Sequence, residues 1–173
     1  MDGVIATASC AVDDVEYDLD EASAVVLLQT ANVLRQPGAL LRLCEAVVRE
    51  IPIVCVTVIG RGYDFAKARQ LLASNLRDEL SGSACDALLP YLTQRGCPLA
   101  FIGRQIGATV PFIIAVPFDP IGTPAHMDAA VKDLAENLKA VRASEQVKKL
   151  AEGGGKSKTR KNSTRAADVV VAV

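Results

Sequence analysis

SAVVLLQTANVLRQPGALLRLCEAVVREIPIVCVTVIGRGYDF, residues 23–65, decides the fold class of this chain. It begins with a short apolar run, Ala24–Thr30, and reaches a second, Ile53–Ile59, rich in β-branched residues. Neither run alternates cleanly between apolar and polar positions, so each reads as a strand covered on both faces, as in a parallel sheet. Between them Leu40, Leu43, Cys44 and Val47 recur at helical spacing, and Pro37 stands where a first helical turn tolerates proline. Strand, crossover helix, strand is a βαβ unit of nearly fixed hand.

Working outward, Gly60-Arg61-Gly62-Tyr63 reads as a turn and Asp64 as the cap of a helix. Phe65, Ala68, Leu72 and Leu76 mark that helix's buried stripe, which ends near Leu80. Asp86–Arg95 is expected to form a short helix interrupted by Pro90 and closed by Gly96. Leu99, Ile102, Ile106 and Val110 give the next helical stripe, with Gly103 and Gly107 permitting close packing. Phe112–Val116 reads as a third buried strand. Thr123 then caps a last helix that begins at Pro124 and whose apolar face is Met127, Val131, Leu134, Leu138 and Val141. The expected fold is α/β: a flavodoxin-like parallel sheet with strands at about 24–30, 53–59 and 112–116 and flanking helices.

Three regions follow. Residues 1–21 form an acidic segment, expected to be poorly ordered or partly helical; Ile5–Val12 shows no buried-strand pattern. Residues 22–143 form the α/β domain, expected to be incomplete on its N-terminal side. Residues 144–173 read as a flexible basic tail, with GGGKSKTRKNSTR too polar to fold and an orphaned apolar end, AADVVVAV. With no earlier strand to pair with, Ala24–Thr30 is expected at an open sheet edge. Such an edge invites pairing, so a protein partner or a second copy is expected there and on the helix surfaces.

Charge is divided along the chain. Residues 1–143 carry 12 basic and 17 acidic side chains, and residues 144–173 carry 7 and 3. An acidic body argues against nucleic-acid binding. Lys156, Lys158, Arg160, Lys161 and Arg165 lack interleaved aromatics and read as a solvated linker. Five cysteines without a CxxC pair read as reduced structural thiols. No uncharged run approaches the ~20 residues that span a bilayer, and no secretory leader is apparent. A soluble cytoplasmic protein without a metal or resident cofactor is the expectation.

The individual site candidates are weak. Gly60-x-Gly62 follows a strand but lacks a third glycine or a Gly-Lys-Ser/Thr, and reads as a tight turn. His126, the only histidine, reads as a surface residue of a helix start. Asp13, Asp14, Glu16, Asp18, Asp20 and Glu21 lack calcium-loop spacing. A nucleotide or other small ligand would be held at the carboxyl ends of the strands, near Thr30, Gly60 and Asp119.

Residues 22–143 resemble the second half of a Toll/interleukin-1 receptor (TIR) domain. The resemblance lies in the turn Thr30-Ala31-Asn32-Val33, the helix Pro37–Leu43, the strand Ile51-Pro52-Ile53-Val54 and its turn Gly60–Phe65. The later segments Val110–Ile114 and Asp119-Pro120 stand where the family's last strand and helix would be. It implies an interaction module of signal transduction. Relatives that cleave NAD use a glutamate of the helix motif, and Arg42 occupies that position here. A fixed guanidinium would repel positive charge developing on a ribose. Glu45, one turn on, is the weak alternative carboxylate for an NAD(P)-cleaving activity. The resemblance therefore favours a non-catalytic role.

Overall fold

The computed structural model describes residues 6–8, 19, 22–74, 76–94, 96–152 and 168–172. Five parallel strands form one sheet: β1 (Ala6–Ala8), β2 (Ala22–Gln29), β3 (Ile53–Val58), β4 (Val116–Phe118) and β5 (Asp168–Ala172). Their spatial order is β1-β5-β2-β3-β4. That is the flavodoxin-like order 2-1-3-4-5 with the chain entering one strand later: β5 takes the place of the first strand and β1 that of the second.

This order overturns the expectation of an open edge at Ala24–Thr30. β2 lies at the sheet centre, pairing with β3 from Val25↔Ile53 to Gln29↔Thr57 and with β5 from Ala24↔Val169 to Leu27↔Ala172. Its neighbour on that side comes from the C-terminal end of the same chain. The apolar residues 168–172, read as orphaned, are that strand, and Ala6–Ala8 pairs on its far side. Apart from Leu19, the rest of the acidic segment lies outside the described residues, as do the six-acid cluster and the basic residues 156–165.

The connections are helical. α1 (Pro37–Val48) joins β2 to β3, with Pro37 in its first turn. α2 (Phe65–Ala73), a single turn α3 (Leu76–Glu79), α4 (Gly82–Gln94) and α5 (Leu99–Thr109) lie between β3 and β4. The expected helix ending near Leu80 thus stops at Ala73 and resumes after Ser74. α4 accommodates Pro90 and is followed by Gly96 at φ 62°. α6 (Pro124–Glu152) runs from β4 toward β5, past the expected end of the domain near residue 143.

The alternation of β2 sorts the core into two layers. Val25 and Leu27 point with Cys55 toward α1, α2, α4 and α5, in the larger apolar cluster, which also takes Leu19. Ala24 and Val26 point the other way with Val54 and Val56, against Leu138, Leu134 and Val141 of α6. Both faces of the strand are therefore covered, which is why it reads as a continuous apolar run. Leu27, Leu40, Leu43, Ile102 and Ile106 are fully buried, each worth about 1.5–3 kcal/mol of transfer free energy. Val131, counted on the buried face of α6, is instead 58% exposed, and Ala130 takes its place.

The third predicted strand is displaced. Val110–Phe112 is a 3-10 turn with Pro111 inside it, and pairing with β3 starts only at Val56↔Val116. Pro111 lacks a ladder donor, and the strand forms where the chain comes alongside β3.

Candidate functional site

The carboxyl ends of β2 and β3 carry the loops where ligands of such sheets bind. Thr30 and Gly60 lie in these loops and Asp119 follows β4, so all three predicted positions are at the same end of the sheet. None of the three lines the crevice between these loops. Asp119 is used by its own turn, its Oδ1 accepting from the Ile121 amide at 3.0 Å. Gly60 adopts φ 78°, as a tight turn requires.

Their neighbours enclose a crevice of about 280 Å³, lined by Ala31, Asn32, Leu34, Arg35, Gly62, Tyr63, Asp64, Lys67, Ala68 and Leu71. The loops are stitched together where the Ala31 amide donates to the Arg61 carbonyl at 2.9 Å. Asp64 caps α2 as expected: its Oδ1 accepts from the amides of Ala66 (2.9 Å) and Lys67 (3.0 Å). Those bonds hold its carboxyl below the ordinary range, and Lys67 Nζ lies 3.8 Å from Oδ2. On the opposite lip, Arg35 donates through an Nη1 hydrogen to the Glu79 carbonyl at 2.7 Å, with Nη2 3.5 Å from the Glu79 carboxylate.

A partly buried polar pair joins the carboxyl ends of β2 and β3. Thr57 donates its hydroxyl to Gln29 Oε1, the two residues facing each other across β2 and β3. Burial pushes the Cys55 thiol up to about 12; burial and the nearby Cys55 push Tyr63 to the same value. Cys55 is thus an inert core thiol and Tyr63 a neutral hydrogen-bonding group. Cys44 and Cys85 are buried too, and Cys97 is partly exposed. Cys10 lies outside the described residues.

Arg42 and Glu45 belong elsewhere. Arg42 is 1% exposed within α1, and Glu45 Oε1 accepts from Arg49 Nε at 2.7 Å. Neither lines the crevice. His126 sits exposed in the first turn of α6. Among the described residues no group of histidine, cysteine and carboxylate side chains is placed to hold a metal, and no helix is long and apolar enough to cross a membrane.

A second surface escaped the sequence reading. Leu28, Val56, Val58, Val116, Phe118, Ala130, Val131 and Leu134 line an entirely apolar groove of about 280 Å³ between the sheet and the start of α6. In the segments before and after β4, Ile114 and Ile121 are each 92% exposed, and Phe112, 71% exposed, has Arg69 Cζ 6.0 Å from its ring centroid. The one available signal was that the run Val110–Phe118 is more apolar than a three-residue strand can bury.

β4 is an edge strand, and it offers no outward amide donor at Pro117. The Ile59 amide donates to the Phe118 carbonyl at 2.8 Å, so Val116 and Phe118 turn their polar groups toward β3. Pro117 therefore faces outward, and it has no N–H to offer.

Comparison with family models, with curated proteins and with solved structures gives no match to this chain.

Proposed function

We propose that the chain is a TIR-like protein-interaction module of cytoplasmic signal transduction, associating with a second copy of itself through the β4 side of the sheet. The observation that carries this reading is the open apolar groove beside β4, with Ile114 and Ile121 almost fully exposed in the segments that flank this strand. Exposed apolar surface of this kind is costly in a monomer and is characteristic of interaction sites. In a two-fold arrangement the same apolar groove of each copy is buried against the other. Pro117 removes an outward donor from β4 and so disfavours open-ended growth of the sheet.

The resemblance of Ala24–Phe65 to TIR domains supports the same class of use. Its surface moves from β2, which is paired on both sides, to β4. Cys55 and Cys85, buried free thiols, suit a reducing compartment. The burial of Arg42 at the family's glutamate position supports a non-catalytic role.

Sedimentation velocity over a concentration series tests the reading. A concentration-dependent dimer is expected, lost in Val131→Asp and Ile121→Asp while circular dichroism stays native. A protein that remains monomeric to near-millimolar concentration would defeat it.

A further inference from the structure

The crevice at the carboxyl ends of β2 and β3 is distant in chemistry from the apolar β4 side. We propose that it binds a free α-amino acid with an apolar side chain. The space, about 280 Å³, accommodates a ligand of leucine's size. Its floor is Leu34, Ala68 and Leu71, all buried, and can receive a branched aliphatic group.

Both signs of charge stand on its walls. Arg35 is fixed in place by Glu79 through one hydrogen on Nη1 and the approach of Nη2. A guanidinium has five N–H donors, so the fork still has hydrogens for a carboxylate. Lys67 supplies a second cation from the first turn of α2. Asp64 spends Oδ1 on the two capping amides, and its Oδ2 is the acceptor toward which an ammonium would turn. The lining carries Arg35 and Lys67 against Asp64, with Glu79 pairing Arg35 from outside it, so both charges of a zwitterion find an opposite partner. A phosphate dianion would meet Asp64 at the very helix end it would need.

The test is an NMR titration of the whole chain with L-leucine, with 4-methylpentanoate (no ammonium) and leucinamide (no carboxylate) alongside. Leucine is expected to shift the amides of 31–35 and 62–71 saturably. Each one-charge analogue should bind roughly ten-fold or more weakly, as expected from loss of a charged hydrogen bond. Arg35→Met should abolish the preference over leucinamide. Asp64→Asn, which keeps a capping side chain, should abolish the preference over 4-methylpentanoate. No saturable shift with leucine, equal binding of either analogue, or unchanged discrimination in the folded variants would each overturn the proposal.

Discussion

α5 packs against α2 and α3 through two glycines, and the pair makes a quantitative test of that contact. A Cβ at Gly103 would stand 3.1 Å from the Leu72 carbonyl oxygen and 3.3 Å from Cγ and Cδ1 of Leu76. A Cβ at Gly107 would meet only Leu72 Cβ, at 3.4 Å, with the Leu72 carbonyl oxygen 3.7 Å away. Alanine in a helix interior gains roughly 0.5–1 kcal/mol over glycine. Overpacking a core costs about 1–3 kcal/mol, and here the obstruction at Gly103 includes backbone, which cannot rotate away. Gly103→Ala should therefore destabilise by about 1 kcal/mol and Gly107→Ala stabilise by about 0.5 kcal/mol. Urea denaturation followed by circular dichroism reads the difference: with a slope of about 1–3 kcal/mol/M, the two midpoints move in opposite directions by a few tenths molar. A rise in midpoint for Gly103→Ala equal to that for Gly107→Ala would refute the close approach of α5 to α2 and α3.

Further outcomes follow from the titrating groups. Cys55 and Tyr63 both have folded values raised to about 12. The unfolded chain releases these protons first, so stability is intact below about pH 9 and is lost progressively as pH rises toward 12; Tyr63→Phe should flatten the fall above pH 10, measured by urea midpoints. Asp64 has the opposite sign. Its lowered value makes its charge stabilising above the ordinary carboxylate range, and that part disappears as pH falls through the folded value. The stability gap between wild type and Asp64→Asn should accordingly close on acidification. In alkylation followed by peptide mapping of the folded protein at mildly alkaline pH, Cys97 should be modified well before Cys55.

The βαβ unit was legible because its signals are local. Pro37, the stripe Leu40, Leu43 and Cys44 and the Asp64 cap each act within a turn or two of their own position and stand as read, while Val47, counted on that stripe, is only partly buried. Sheet position is a different kind of property. Val169–Val171 is a β-branched apolar run, yet its partner Ala24–Val26 lies at the other end of the chain, and no spacing within either segment specifies that pairing. The error at the supposed edge came from counting only strands that announce themselves, when Ala6–Ala8 is held by its neighbour instead. The crevice was legible as a location through Thr30 and Gly60, but its walls come from loop and helix residues that only the folded turns bring together. The groove depended on where β4 begins, which the apolar character of Phe112–Ala115 conceals.

Hydrogen exchange at low and high protein concentration separates the possible contact surfaces most directly. The account predicts that amides of β2 and β3 are protected alike at both concentrations, while protection added at high concentration is confined to residues 112–131. Exchange unchanged there, or slowed at β2 instead, would contradict it.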